Sequence, residues 1–301
     1  MVKQTDQLPQ RRITKKAPVY SIGIFSGPKL SVLKPATEMP VLTAEQVTDI
    51  PAEFVADPFM IQVGNTWHMF FEVMNEQRGR GEIGLAKSVD GIRWDYQKIV
   101  LSESFHLSYP YVFGVDGEYF MIPESHEANA IKLYRAVSFP TKWEPVKTIL
   151  EGAWADSSVF FWNNLWWLFT NPVAPPNQIL DLFYAASIIG PWHRHPMSPL
   201  VSGNHRIARC GGRLIVQDDR PVRFAQDCIP SYGTSVRAFE ITVLNASGYA
   251  EHELEGSPIL GPGSGSLPWN HSGMHHIDAH LTSNGWLACV DGWRPDPGAR
   301  S

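Results

Sequence analysis

"FVADPFMIQVGNTWHMFFE", Phe54–Glu72, is the unit from which this chain is built. It reads as two short strands around a Gly-Asn turn, with one acid near its start, Asp57, and another at its end, Glu72. The arrangement returns in "SYPYVFGVDGEYFMIPE", Ser108–Glu124, and in "WADSSVFFWNNLWWLFTN", Trp154–Asn171. Anchored on the aromatic after the turn (Trp67, Tyr119, Trp166), the three copies align without gaps. Their starts are Asp57, Tyr109 and Asp156, and their ends Glu72, Glu124 and Asn171, 15 positions apart in each copy. A weaker fourth copy, "GRLIVQDDRPVRFAQD", runs from Gly212 past Val222 to Asp227, and a fifth, "HIDAHLTSNGWLACVD", from His276 past Trp286 to Asp291. The starts are spaced by 52, 47, 56 and 64 residues. Self-similarity near such a period is the mark of a repeat architecture.

Each pair is followed by further strand-like sequence, such as "GEIGLAKSVDGIRW" and "QKIVL" after the first and "AIKLYRAVSFPTKW" and "VKTIL" after the second. Helical periodicity is nearly absent. Five units of up to four strands predict an all-β fold, a five-bladed β-propeller. The last unit stops soon after two strands, so "VYSIGIFSG", Val19–Gly27, is expected to supply its missing strand and close the ring. A single domain is expected over 19–301, behind a disordered basic leader at 1–18. A β-sandwich with accidental self-similarity is the alternative. In a blade the first strand lies innermost and the second runs antiparallel to it. The start of one and the end of the other therefore share a face of the wheel, which gathers the repeated acids around one central funnel. Clustered carboxylates repel one another, which raises some of their pKa values and suits acid/base chemistry.

Charge narrows the partners. Residues 1–18 carry a net +4 within a chain total of −5, so residues 19–301 carry −9. An acidic body excludes nucleic acid as the main partner. No apolar run reaches the ~18 residues of a membrane span, and no secretory signal pattern opens the chain. Cys210, Cys228 and Cys289 are scattered and without metal-ligand spacing, as expected of reduced thiols in a cytoplasmic protein.

"FVADPF" followed by "WHMFFE" and "AKSVDGIRW", with "ADSSVF" and "LWWLFT" later, resembles the glycoside hydrolase family 43 and 32 superfamily. A closer resemblance is to the N-terminal propeller domain of plant glucosamine inositolphosphorylceramide transferases and their bacterial relatives. It is carried by "SIGIFSG", "FVADPFM", "FHLSYPYVF", "DGEYFMIPES", "FPTKWEP", "GGRLIV" and "VRFAQDCIPSYG", and spans about residues 20–295. The family 43 resemblance implies an inverting glycosidase layout, with Asp57 as catalytic base and Asp156 as the acid that tunes it. That family's general acid lies on a later inner strand, where this chain has "RCGGRLIV", so Glu124 is the expected substitute, with Glu72 behind it.

Other candidates follow from position. Tyr109 and Tyr111 share a strand face and could stack a sugar ring. Arg209 and Arg213 flank a Gly-Gly at the inner edge, where they could clamp a phosphate or carboxylate or neutralise the acid ring. Gln226 and Asp227 could bind sugar hydroxyls or cap a turn. His276, Asp278 and His280 share a strand face; they could line the funnel or hold a central metal ion, and no other cofactor is expected. Two function classes result: a glycosidase or transglycosidase acting on a terminal sugar, or a non-catalytic glycan-binding propeller assisting a separate glycosyltransferase. In either, the ligand is a carbohydrate or glycoconjugate.

Overall fold

Five antiparallel sheets succeed one another along the chain, and each is a blade. The computed structural model describes residues 18–263 and 268–295. Residues 1–17 of the expected leader and 296–301 of the expected domain lie outside that range. Blade 1 comprises Ala52–Val63, Thr66–Asn75, Arg80–Ser88 and Asp95–Leu101; blade 2, Ser108–Val115, Glu118–Glu124, Ala130–Ser138 and Lys142–Glu151. Blade 3 comprises Trp154–Trp162, Leu165–Pro172, Ile179–Ala185 and two short outer strands, and blade 4, Ile215–Gln217, Arg220–Asp227, Ser235–Asn245 and Gly248–Glu253. Blade 5 closes the ring as expected: Ile277–Thr282 and Gly285–Arg294 are completed by Val19–Gly27, paired from Val19↔Arg294 to Gly27↔Trp286.

The aromatic and β-branched residues that make these segments strands also form the core, because each blade buries both faces against its neighbours. Trp167, Phe59, Phe70, Phe71 and Phe169 are fully buried. Burying side chains of this kind contributes roughly 1.5–3 kcal/mol each. Of the adjacent tryptophans after the third turn, Trp167 enters the core while Trp166 stays partly exposed.

The repeated starts have a common backbone cause. Asp57, Tyr109 and Asp156 adopt left-handed φ values of 51°, 45° and 45°. In each case the pairing slips just there, between Ala56 and Phe59, Ser108 and Tyr111, and Ala155 and Ser158. A bulge of this kind re-aims one side chain out of the pleat. Blade 5 pairs without a slip, from Ile277↔Val290 to Thr282↔Gly285. In blade 4 the sequence register is two residues off. The N–H that donates the inter-blade bond belongs to Cys210, not Gly212, and its acceptor is Asn171 Oδ1 at 3.0 Å. Gly212 instead lies against the innermost strand of blade 5, in a parallel bridge to Ile277.

Candidate active site: an acid-lined funnel

In blades 5, 2 and 3 the end of the second strand staples the blade to the next. Asp291 Oδ2 accepts from the Asp57 N–H at 3.0 Å, Glu124 Oε2 from the Asp156 N–H at 3.1 Å, and Asn171 Oδ1 from Cys210. A blade-edge carboxylate thus holds the bulge that aims the next blade's acid. Asp57, Glu72, Glu124, Asp156 and Asp291 gather on one face of the wheel, all of them buried.

Their protonation states diverge. Burial pushes the Asp57 carboxyl up to about 6, with His275 opposing and Asp291 and Glu124 adding to the rise. Burial and then the neighbouring Asp57 and Glu124 carboxylates hold Glu72 well above the usual carboxylate range. Burial also raises Asp156, with Arg209 pulling against it from 2.6 Å. Glu124 goes the other way. Burial opposes its ionisation, but the hydrogen bond from His126 at 2.7 Å and the Arg209 charge outweigh it and bring the carboxyl down to about 2. A carboxylate held ionised is the reverse of a proton donor, so the local field gives Glu72, not Glu124, the character of an acid.

Because Glu124 is depressed from 4.5 to about 2, its contribution to stability is complete above pH 4.5 and is lost as pH falls toward 2. Glu124→Gln is therefore expected to lower the melting temperature at neutral pH and to flatten its fall between pH 4.5 and 2. Thermal melts across that range check this; an unchanged acid limb contradicts it.

Arg209 neutralises the ring instead of waiting for a ligand. Its Nε donates to Asp156 Oδ2, an Nη lies 3.6 Å from Glu124, and the guanidinium rests over Tyr232, 5.2 Å from the ring centroid. Gln226 Nε2 donates to the same Asp156 oxygen at 2.9 Å and belongs to the site. Asp227 points away and is bound by Arg206 and Arg237, as a turn anchor.

Several expected ligand contacts are packing. Tyr109 and Tyr111 are buried; their hydroxyls bond to Ser158 Oγ and the Val159 carbonyl, and their rings pack on Phe59, so neither offers a face to a sugar. Arg213 crosses to Asp278 at 2.6 Å and donates to the Val112 carbonyl, its guanidinium lying over Tyr111. That buried pair satisfies both charges and ties blades 4, 5 and 2 together. Asp278 also accepts from the Met60 N–H, and the Arg213 charge outweighs burial to hold it ionised.

His276, Asp278 and His280, the alternative metal set, do not converge on one point. His280 lies 3.2 Å from Asp278, whereas His276 turns its Nε2 to the Pro58 carbonyl. The closer group is Asp57, His275 and Asp291, with one ligand atom of each within 4.8 Å of the others. Its donor set suits a small cation, although His275 Nδ1 already shares a proton with Asp291 Oδ1 at 2.6 Å. His275, with its Nε2 3.7 Å from Asp57 Oδ1, was not singled out by the repeat. Its sequence signal was the His-His pair directly before the fifth inner strand. His106 and His126 were missed likewise; they flank blade 2 at the acid-bearing end and touch Glu72 and Glu124.

A family model described as glucosamine inositolphosphorylceramide transferase 1, N-terminal, matches residues 18–293. Among reviewed proteins, glucosamine inositolphosphorylceramide transferase 1 of Oryza sativa subsp. japonica is 37% identical over 268 residues, covering 86% of this chain and 36% of its own. The Arabidopsis thaliana protein of that name is 36% identical over 302 residues, covering 93% and 39%. The chain thus spans somewhat over a third of the length of these relatives. Among solved structures, the catalytic domain of Coprinopsis cinerea GH62 α-L-arabinofuranosidase superposes with a TM-score of 0.62 at 12% identity, covering 92% of this chain and 97% of that one. Cellvibrio cellulosa α-L-arabinanase, complexed with arabinohexaose, gives 0.60 at 14%, covering 78% and 91%. At such identity the likeness is one of fold.

Proposed function

The chain belongs to the family of the glucosamine inositolphosphorylceramide transferase 1 N-terminal domain, and from that premise we propose a carbohydrate-active protein whose funnel takes the terminal sugar of a glycan or glycoconjugate. The observation that carries this reading is the pair of Asp57 and Glu72: one carboxyl on a left-handed bulge and raised to about 6, the other raised well above its usual range. Two carboxyl groups with separated protonation states are the requirement for acid/base cleavage of a glycosidic bond. Asp57, ionised at neutral pH, takes the proton of an attacking water or acceptor hydroxyl as its oxygen bonds to the anomeric carbon. Glu72, protonated, gives its proton to the departing glycosidic oxygen. Asp156, paired with Arg209, sets the field around them. No helix among the described residues is long and apolar enough to cross a membrane.

The test separates the donor from its neighbours. Glu72→Gln is expected to cost at least about 10²-fold in turnover of alkyl glycosides, whose leaving groups need a proton. It should largely spare nitrophenyl glycosides, which leave unassisted. Equal losses on both substrates, or none on either, contradict the assignment of Glu72 as donor.

One observation favours a second reading. The relatives are named transferases, yet the matched region is 36–39% of their length. A propeller that holds the glycan for a separate glycosyltransferase fits that proportion, and it predicts binding without turnover.

A further inference from the structure

On the face opposite the funnel, each blade turns from its innermost strand to its second through a two-residue corner. Blades 1 and 2 place glycine there, Gly64 and Gly117, and blade 5 uses Ser283-Asn284 ahead of Gly285. Blades 3 and 4 do not. Their corners are Asn163-Asn164 and Asp218-Asp219, all four residues left-handed, with φ of 51°, 61°, 49° and 58°. Left-handed φ at both corner residues suits the twist of a hairpin, and a corner glycine adopts it at no steric cost. Blades 3 and 4 are thus the two adjacent blades in which both corner residues are left-handed and neither is glycine.

Those two corners face each other across a cleft of about 410 Å³, lined by Trp162, Asn163, Asp218, Asp219 and Arg220, with Ile241 and Leu244 at its apolar side. That volume falls within the roughly 300–1,000 Å³ of small-ligand clefts. The Trp162 ring is held in place by stacking on Phe160, with centroids 5.9 Å apart and planes at 19°. Arg220, at the edge of the cleft, is paired with Glu240 at 3.3 Å. Gln217, the last residue before the aspartate corner and outside the cleft lining, donates its Nε2 to Asp218 Oδ2 at 3.4 Å, which leaves Asp218 Oδ1 and the Asp219 carboxylate as acceptors.

A fixed indole plane beside amide and carboxylate acceptors matches one ligand chemistry: a ring whose C–H face is apolar and whose rim carries hydroxyl donors. We propose that the cleft between blades 3 and 4, on the face opposite the funnel, is a second carbohydrate-binding site taking a neutral mono- or disaccharide. The sugar stacks on Trp162 and donates its hydroxyls to Asn163, Asp218 and Asp219. The site does not depend on the reading of the funnel: a propeller without catalysis can still hold a glycan on this face.

The geometry supplies a clean variant. Asp218→Gly/Asp219→Gly relieves two left-handed side chains, so it is expected to keep or raise the melting temperature while removing both acceptors. The full chain, ¹⁵N-labelled, is titrated with cellobiose, xylobiose and arabinobiose, and separately with Ca²⁺ alone; Trp162→Phe identifies the Trp162 indole signal. At least one disaccharide is expected to move that signal, to do so equally in Asp57→Asn, and to bind at least about tenfold more weakly (about 1.4 kcal/mol) to the double-glycine variant. The proposal is overturned if no disaccharide moves the signal, if the glycine variant binds as tightly as wild type, or if Ca²⁺ alone shifts the corners. Because the readout is at Trp162, a funnel without activity leaves this result intact.

Discussion

Gly212→Ala is expected to leave little folded protein. A Cβ at this position would lie 1.7 Å from the Ile277 carbonyl oxygen and 2.8 Å from its carbon, and the backbone stands at φ +141°, which side chains rarely adopt. The neighbour cannot yield, because Ile277 is pinned in the same bridge by its N–H to the Gly211 carbonyl at 2.9 Å. This is where the innermost segments of blades 4 and 5 meet, so a displaced strand would also disturb the Arg213–Asp278 pair. Clashing backbone and a forbidden conformation together place the cost above about 4 kcal/mol, a large share of the stability of an ordinary domain. Gly64→Ala is the control: its φ is +60° but nothing lies within 4 Å, so only the conformational cost of about 1–2 kcal/mol applies. Soluble yield and thermal melting separate the two. A Gly212→Ala protein that melts like Gly64→Ala contradicts this packing.

Asp57→Asn is expected to do the opposite, keeping the fold and removing the chemistry. Asparagine tolerates left-handed φ as well as aspartate does, and its Oδ1 can still accept the Tyr109 N–H that Asp57 Oδ2 accepts at 3.3 Å. One negative charge fewer among buried carboxylates that already repel one another leaves stability equal or higher. What disappears is the base: an amide takes no proton near neutral pH. Loss of a positioned general base lowers turnover by roughly 10²–10⁴-fold. Asp57→Ala is the poorer probe, since it adds backbone strain to the lost carboxyl.

Much of the architecture was legible because the repeat is written in residues with strong physical preferences. The aromatic after each turn fixes the register, and the acid or tyrosine before it marks the bulge. Val19–Gly27 could be assigned to blade 5 because an unfinished blade exposes an edge that only another strand satisfies. The fourth blade misled where its pattern was weakest: Gly212 aligned with Asp57, but the glycine answers to close backbone approach and not to the bulge.

The site was legible in position and less so in role. Asp57, Glu72 and Asp156 reach the funnel face as the repeat predicts, whereas in blade 4 Gln226 does so in place of Asp227, the position the repeat marks. Tyr109 and Tyr111 do not offer their rings, because the bulge at Tyr109 redirects the strand and packs both against Phe59. Glu124 and Glu72 occupy equivalent places in the repeat, and they are separated by the Arg209 and His126 partners of Glu124 together with the Asp156 N–H it accepts. Such partners come from distant segments, so their pairing is invisible to a local reading.

The measurement that bears most directly on the funnel is turnover and binding, recorded together, for wild type and Asp57→Asn against aryl glycosides, aryl pentofuranosides and soluble glycoconjugates. The account predicts turnover in wild type that falls at least about 10²-fold in Asp57→Asn while binding and melting temperature hold. Binding in both proteins with turnover in neither contradicts the catalytic reading and leaves a propeller that presents sugars to another enzyme.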